Sequence, residues 1–255
     1  MTIDRPSRSI GGVTLPVLDR SAAVDRVIGA IERHRAEIFA FFNLHTFNLA
    51  RRSPRLAHAL GCATVFNDGV GIDFASVVLH GAKFPANLNG TDLTPLVLAA
   101  LPAATAIFLV GSAPGIAERA GAAIAARYPH VTIVGTQHGF FGDAESDMLA
   151  RRIKESGASL VLLGMGNPRQ EIWAADHVEQ VGAVIMCVGA FLDFTAGVVP
   201  RAPRAVRAMR GEWLYRLAME PRRMARRYIG GAPPFLLAVL RERVRMRDAD
   251  GAGGR

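Results

Sequence analysis

The chain has 255 residues, half of them hydrophobic, which is enough for one large domain or two small ones with a sizeable core. No apolar run approaches the length of a membrane span, and residues 1–9 lack the apolar core of a signal peptide. The net charge of +8 is uneven, because residues 201–247 hold 13 arginines and three acidic residues, a net +10, while the remainder carries −2. This segment predicts contact with a polyanion: lipid headgroups, a pyrophosphate or a nucleic acid.

The cysteines and acidic residues predict no metal site. Cys62 and Cys187 both lie in apolar, strand-like runs, so we expect reduced core residues of a cytosolic protein. No Cys/His pair stands at ligand spacing, and the Asp-x-Asp from Asp248 to Asp250 falls in a tail, residues 248–255, that we expect to be disordered. The sequence therefore offers no convincing site for a divalent cation, and we expect no cofactor.

After a disordered start over residues 1–8, the first half of the chain predicts a hairpin followed by strands and helices. The hairpin runs from Ser9 to Val17, and Ser21 caps a first helix whose apolar stripe reaches Ile31. The further elements are a strand from Glu37 to Asn43, a helical stretch to Leu60, a strand from Ala63 to Phe66, a helix from Ile72 to Leu79 and a helix capped by Thr91 that runs to Leu101.

The second half alternates more regularly. Its elements are a strand from Ala106 to Val110, a helix from Pro114 to Tyr128, a strand from Val131 to Val134, a helix from Asp143 to Ser156, a strand that begins at Leu160, a helix from Pro168 to Val181 and a strand from Ala183 to Val188. This alternation predicts an α/β domain over residues 1–200, with a parallel Rossmann-like sheet and helices on both faces. In such sheets ligands bind at the carboxyl ends of the strands.

After residue 200 the pattern changes to a basic helical appendage over residues 201–247. Arg216, Arg223 and Arg226 have helical spacing, and an amphipathic helix is predicted from Phe235 to Met246. Apolar partners are supplied by Trp213, Leu214, Leu217, Phe235, Leu236, Val239 and Leu240. The mixture is typical of an interfacial membrane segment, with RNA binding as the competing interpretation.

The segment from Leu160 to Glu171 stands out, because it contains a strand, a glycine-rich loop and the start of a helix. The strand breaks at Gly164 and Gly166, and Pro168 suits the first turn of the helix. The free backbone N–H groups of such a junction suit a phosphate, although a tight turn without a ligand fits equally well. It is not a dinucleotide fingerprint, because Arg169 stands where the third glycine would be, and this disfavours a doubly wound dehydrogenase.

Polar residues at other predicted strand ends are the candidate site. Asp68 is a potential general base, with an Asx turn or a helix cap as the simpler alternative. Thr46, Asn48 and Asn87 fall on loops at the same rim, where they could bind sugar hydroxyls. Asp193 could accept hydrogen bonds from a ribose or act in a turn, and Phe140 could stack on a base or pack beneath its loop.

These motifs together resemble the WecG/TagA/CpsF family of bacterial glycosyltransferases, in family order over roughly residues 9–230. The matching residues are Thr46-Phe47-Asn48, Asn67-Asp68-Gly69-Val70-Gly71, Asn89-Gly90-Thr91-Asp92-Leu93, Phe108-Leu109-Val110-Gly111, Gly139-Phe140-Phe141, Gly164-Met165-Gly166-Asn167-Pro168-Arg169-Gln170-Glu171, Val188-Gly189-Ala190-Phe191-Leu192-Asp193, Ala196-Gly197, Arg201-Ala202-Pro203, Glu212-Trp213-Leu214-Tyr215-Arg216 and Glu220-Pro221-Arg222-Arg223.

The resemblance implies inverting transfer of a sugar from a UDP-sugar to a polyprenyl-pyrophosphate-linked acceptor, without a metal. It implies that Asp68 is the base, and we place Thr46, Asn48 and Gln170 beside it as catalytic residues. It also implies that Arg216, Arg223 and Arg226 close over the site and meet the membrane. UDP is expected across the strand ends, on Gly111, Gly139, Phe140, Gly164, Gly166 and Asp193.

One residue departs from the family pattern. The family often has Arg three residues before the glycine of the Gly-Thr-Asp-Leu element, where this chain has Asn87. Members that make secreted exopolysaccharides, such as the xanthan-type glucosyltransferase, look more similar here, so glucose stands beside N-acetylmannosamine as the expected sugar. We further expect a cytoplasmic protein on the inner face of the plasma membrane, with no nucleic-acid partner and with homo-oligomers left open.

Overall fold

The computed structural model describes residues 6–200, 215, 219 and 230–252. The chain starts with an antiparallel hairpin, β1 (Ser7–Ile10) and β2 (Val13–Pro16). Six parallel strands follow: β3 (Ile38–Phe42), β4 (Ala63–Asn67), β5 (Thr105–Gly111), β6 (Val131–Gln137), β7 (Leu160–Gly164) and β8 (Val184–Cys187). They form one sheet in the order β4-β3-β8-β7-β5-β6. The central strands β3, β7 and β8 are continuous apolar runs, as expected for parallel strands that are buried on both faces.

Helices cover both faces of this sheet, which confirms the predicted fold class. The helices are α1 (Arg20–Glu32), α2 (Leu44–Ala50), α3 (Pro54–Gly61), α4 (Val70–His80), α5 (Gly90–Ala100), α6 (Ile116–Arg127), α7 (Asp143–Glu155), α8 (Arg169–Val181), α9 (Phe191–Thr195) and α10 (Ala232–Ala252). One core layer lies under the hairpin and helices α2, α3, α4, α7, α8 and α10. The other lies under α1, α5, α6 and α9.

The predicted C-terminal helix is present, as α10, and it is anchored to the α/β domain. Phe235 is buried and packs edge-on against Phe47 of α2, with ring centroids 4.8 Å apart. The carboxylate of Glu242 accepts the N–H of Gly11 at the hairpin tip, at 3.0 and 3.1 Å. Phe235 and Val239 were expected on the apolar side of a membrane segment, but both are buried in the protein core.

Two helix starts and one cysteine differ from the sequence-based expectation. Asp19, not Ser21, caps α1, because its carboxylate accepts the N–H of Ala22 at 2.8 Å. Asn89, not Thr91, caps α5 through the N–H of Asp92 at 2.9 Å. In both cases a polar side chain precedes the expected one, on a residue that still has a non-helical backbone. Cys62 is exposed, because it lies at the C-cap of α3 and not in a strand.

The end of the chain also differs from expectation. Helix α10 continues to Ala252, beyond the predicted end at Met246 and into the segment that we expected to be disordered. In the part of the chain that the structure describes, no helix combines the length and the apolar character needed to span a bilayer. Arg216, Arg223 and Arg226, with Trp213, Leu214 and Leu217, lie outside the described residues.

Candidate active site

A cleft of about 1620 Å³ opens at the carboxyl ends of the parallel strands. Each strand contributes to its wall at or just after its last residue: Asn43 after β3, Asp68 after β4, Ser112 after β5, Gly139 after β6, Gly164 at the end of β7 and Val188 after β8. Residues 230–232 and Pro234, at the start of α10, also contribute. A parallel sheet binds ligands at this edge, and the cleft is large enough for a nucleotide sugar.

The β3–β4 end of the cleft is built around Asp68, and we call Asn43, Asp68, Gly69 and Asn87 the base side. The amide of Asn43 donates from Nδ2 to Asp68 Oδ2 at 3.0 Å. Its Oδ1 caps α2 by accepting the N–H groups of His45 and Thr46, at 3.0 and 3.1 Å. Because the cap requires the oxygen to face the helix, it also orients Nδ2 toward the carboxylate.

The backbone around Asp68 is fixed from two directions. The N–H of Asp68 donates to Phe42 O at 2.9 Å, and the N–H of Gly69 donates to Asn87 Oδ1 at 2.8 Å. Asp68 itself is half-buried and lines the cleft. Among the described residues, no hydrogen-bond donor reaches its second oxygen, Oδ1. Asn43 therefore holds one carboxylate oxygen of a residue that lines the cleft, while the other oxygen has no described donor.

Thr46 and Asn48 were both predicted to be catalytic, but they occupy different positions relative to the cleft. Thr46 is fully buried, does not line the cleft, and donates from Oγ1 to Asn43 Oδ1 at 3.3 Å. Asn48 does line the cleft, and its Nδ2 donates to Gly231 O at 2.8 Å just before α10. Thr46 therefore supports Asn43 from behind, and Asn48 ties the cleft to the C-terminal helix. Asn43 was missed in the sequence, although an Asn between a strand and a helix is a typical N-cap signal.

The opposite wall is formed by backbone, and we call Gly111, Ser112, Gly139, Gly164 and Gly166 the glycine side. Gly111 has φ +147°, and a Cβ there would lie 2.4 Å from the carbonyl oxygen of Gly164. The N–H of Ser112 donates to that same oxygen at 3.1 Å, and the N–H of Gly139 donates to Ser112 O at 2.8 Å. Three strand ends thus touch through backbone atoms, which leaves the wall open to close approach by a ligand.

Ser112 is a further residue that the sequence did not single out. It has φ +57°, a left-handed conformation that is uncommon outside glycine, and it lines the cleft. Its Oγ is buried and has no hydrogen-bond partner in the described part of the chain. Gly111, which was predicted to bind the nucleotide, lies behind Ser112 and does not itself line the cleft.

The family comparison agrees with this geometry. The glycosyl transferase WecG/TagA/CpsF family matches residues 8–249, which include the sheet, the cleft and most of α10. The chain belongs to this family. It is therefore a glycosyltransferase of a family that acts in cell-surface polysaccharide synthesis, and the resemblance drawn from the motifs is confirmed. This membership favours the transferase over the dehydrogenase and the RNA-binding module.

The sequence left open whether the phenylalanines of the glycosyltransferase's Gly139-Phe140-Phe141 loop stack on a base or pack beneath the loop. The two residues differ in their burial. Phe141 is buried and meets Trp173 edge-on. Phe140 is 71% exposed and lines the cleft. Arg169 holds the loop by donating to Gly139 O at 2.7 Å and to Phe141 O, with its guanidinium 5.0 Å over the Phe141 ring. Phe141 therefore packs beneath the loop, whereas Phe140 is free to stack on a ligand.

Gln170, predicted as catalytic, lines the cleft but is fully occupied by the loop after β7. Its Oε1 accepts the N–H of Gly166 at 3.2 Å. Its Nε2 donates to Cys187 O at 3.2 Å and to Glu171 Oε1 at 2.8 Å. The N–H of Gly166, which the sequence suggested for a phosphate, is thus already engaged, and Gln170 acts on the shape of the loop.

Glu171 is a buried carboxyl group beneath this loop, with 1% exposure. Loss of solvation on burial raises the pKa of Glu171 to about 7, against the opposing effect of the hydrogen bonds from Gln170, from its own backbone N–H and from Asn167. Burial, and then the charge of Glu171, raise the pKa of the Cys187 thiol well above its ordinary value. Both groups are therefore biased toward their neutral forms.

Asp193, which was predicted to bind the nucleotide, also lies at the cleft. Asp193 is half-buried in the first turn of α9 and lines the cleft, and no described residue donates a hydrogen bond to its carboxylate. Within the described ranges, no three His, Cys, Asp or Glu residues cluster closely enough to hold a metal ion. Metal independence nevertheless remains a prediction.

Proposed function

We propose that this glycosyltransferase moves a sugar from a UDP-sugar to a polyprenyl-pyrophosphate-linked saccharide with inversion, and that Asp68 is the general base. The observation that supports this most directly is the carboxylate of Asp68, half-buried in a cleft of nucleotide-sugar size. Asn43 holds one of its oxygens at 3.0 Å, and the other faces no described donor.

The reaction that follows is a single displacement. Asp68 takes the proton of an acceptor hydroxyl as that oxygen attacks the anomeric carbon of the donor sugar. The bond from the anomeric carbon to the β-phosphate oxygen breaks, and UDP leaves with the electron pair. Attack from the face opposite to UDP inverts the anomeric centre, which places the base side and the diphosphate on opposite sides of the sugar.

The glycine side is the proposed UDP site. At Gly139 and Gly164 the backbone itself lines the cleft without a Cβ, so a diphosphate can lie close to it. Asp193 then accepts hydrogen bonds from the ribose hydroxyls, and the exposed ring of Phe140 stacks on the uracil. Arg216, Arg223 and Arg226 are proposed to close over the site and to bind the pyrophosphate of the lipid-linked acceptor at the membrane.

Asn87 bears on the donor sugar. Its Oδ1 is engaged with the N–H of Gly69 at 2.8 Å, next to the proposed base. Because this amide stands where many family members have Arg, we keep glucose beside N-acetylmannosamine as the transferred sugar. Incubation with a panel of UDP-sugars and polyprenyl-pyrophosphate-linked acceptors, with product detection by mass spectrometry and with EDTA present or absent, tests the reaction. We expect metal-independent transfer; no product from any UDP-sugar would refute the proposal.

We also propose that the enzyme binds the anionic inner membrane surface through α4 and α10. These helices pack together, and both leave an apolar stripe exposed. The stripe residues are Val70, Phe74 and Val77 on α4, and Leu236, Leu237, Leu240 and Val244 on α10. Arg241, Arg245 and Arg247 are exposed on the same C-terminal helix. An apolar stripe beside arginines suits a headgroup layer, where each arginine contributes about 1 kcal/mol at low salt.

Vesicle binding tests the membrane proposal. Binding to anionic vesicles should fall with salt without vanishing, because salt screens the arginines but not the apolar burial. Changing both Leu240 and Val244 to Gln should remove the salt-resistant part. Leu96→Gln is the matched control, since Leu96 is an exposed apolar residue of α5 on the other face of the sheet. Wild-type binding by the double variant would rule out this surface.

A further inference from the structure

Glu171 combines three features that the proposed reaction does not use. Its side chain is 1% exposed in the first turn of α8, directly beneath the loop that lines the cleft. Its Oε1 accepts two amide donors, Gln170 Nε2 at 2.8 Å and Asn167 Nδ2. Its Oε2 is buried with no hydrogen-bond partner among the described residues.

This unequal treatment of the two oxygens suits a carboxylic acid better than a carboxylate. An ionised group spreads its charge over both oxygens, and burying one of them without a donor is costly. A neutral acid carries its proton on Oε2 and keeps Oε1 as a carbonyl acceptor for the two amides. Both hydrogen bonds to the loop are therefore preserved in the neutral form.

We propose that Glu171 is a positioning residue of the nucleotide site, and that it holds the Gly164–Pro168 loop as a neutral carboxylic acid. Through Asn167 it fixes the loop directly. Through Gln170 it fixes the N–H of Gly166 and the carbonyl of Cys187, so the ends of β7 and β8 are joined by one chain of hydrogen bonds. This inference rests on the proposed function only where it concerns UDP-sugar binding.

Ionisation of Glu171 would change the electrostatic potential beneath the proposed diphosphate site. It would place a negative charge under the wall proposed for the diphosphate, and it would leave a charged Oε2 without a donor. Donor affinity should therefore weaken as the pH rises through the raised pKa of about 7. The acid form belongs to the binding-competent enzyme.

Among the described residues, the groups around Glu171 do not supply a counter-charge. Strands β3 and β7 contain no titratable side chain, and β8 contributes the neutral thiol of Cys187. The charged residues that reach α8 from neighbouring helices meet it elsewhere, Arg55 of α3 at Asp176 and Asp147 of α7 at His177. Arg169 on the same helix is engaged by the carbonyls of Gly139 and Phe141.

The first measurement needs no ligand. Infrared difference spectra between the wild type and Glu171→Gln should show one carboxylic-acid carbonyl band at about pH 6, lost by about pH 8.5, on either side of the pKa of about 7. Glu179→Gln, an exposed position on the same helix, should give no such band. Absence of the acid band at the lower pH would overturn the proposal.

The second measurement separates the neutral acid from a merely structural side chain. Glu171→Gln keeps the acceptor oxygen and cannot ionise, so its UDP-glucose affinity should equal that of the wild type at about pH 6 and stay constant with pH, while that of the wild type falls. Glu171→Ala should bind about 10- to 100-fold more weakly at both values, because it leaves buried amide donors unpaired. UDP-glucose serves as the probe because its diphosphate diester does not titrate in this range.

The outcomes remain distinguishable from failure of the proposed function. If no variant binds UDP-glucose, the proposed donor is wrong, and amide hydrogen exchange in the loop then decides: faster exchange in Glu171→Ala but not in Glu171→Gln supports the positioning role. Wild-type exchange and affinity in the alanine variant would overturn it. If the alanine variant does not fold, Asn167→Ala, which breaks the same contact from the loop, replaces it.

Discussion

The two sides of the cleft are held in place by different groups, side-chain amides on one side and backbone atoms on the other. On the base side, Asp68 is held by a side-chain amide at 3.0 Å, and the neighbouring backbone by a second amide at 2.8 Å. On the glycine side, the strand ends touch through backbone atoms, and the absence of a Cβ is the essential feature. The base side should therefore fail when a functional atom is removed, and the glycine side when atoms are added. Substitutions on each side can test this difference.

The largest effect is expected on the base side from Asp68→Asn. The amide keeps the size of the side chain but cannot take the proton of the acceptor, and a positioned base contributes about 10²–10⁴-fold in rate. Turnover should fall by that factor in a steady-state assay, while UDP affinity measured by calorimetry stays unchanged. Asn43 only positions the carboxylate, so Asn43→Ala should lower turnover by a smaller factor. Near-normal turnover of Asp68→Asn would remove Asp68 from the mechanism.

On the glycine side, Gly111→Ala should destabilise the fold by adding one methyl group. The new Cβ would lie 2.4 Å from the backbone oxygen of Gly164, and φ of +147° is unfavourable for alanine. Strain and overpacking together should cost about 2–4 kcal/mol in the free energy of unfolding. Gly115→Ala is the control, because its φ is +83° but no atom lies within 4 Å. Equal losses in urea unfolding of the two variants would show that the close approach of β5 and β7 is unimportant.

The carboxyl group beneath the glycine side should make stability depend on pH. The pKa of Glu171 is raised from 4.5 to about 7 in the folded state, so folding favours the protonated form. Its stabilising contribution is complete below pH 4.5 and is lost as the pH rises through about 7, a decrease of about 3 kcal/mol. Glu171→Gln should lack this decrease in urea titrations across the range. Parallel pH profiles for the two proteins would contradict the burial of a neutral acid.

The sequence predicted the parts of the fold that depend on periodicity. Apolar runs alternating with helical stripes were enough for a parallel sheet, and the rule that ligands bind at the carboxyl ends placed Asp68, Gly139 and Asp193 at one cleft. These predictions succeeded because the relevant signals are local. The end of a strand and the polar residue that follows it can be read from a few adjacent letters.

The remaining features depend on contacts between distant segments. Nothing near Glu171 in the chain shows that it is buried, since an acidic residue in a first helical turn is usually exposed. The role of Asn43 depends on β4 lying beside β3, and the left-handed backbone of Ser112 on the approach of β7. Thr46 was placed in the site because its neighbours are polar, whereas the start of α2 turns it inward.

The smallest expected effect concerns Asp193, which lines the cleft and is proposed to bind the ribose of UDP. Asp193→Ala should weaken UDP binding by about 1–3 kcal/mol, the cost of leaving ribose hydroxyls unpaired. Calorimetry with UDP and with 2′-deoxy-UDP on both proteins forms a double-mutant cycle. If the carboxylate meets that hydroxyl, the deoxy ligand should bind the two proteins almost equally, and the difference should appear only with UDP. An unchanged UDP affinity would place the ribose elsewhere in the cleft.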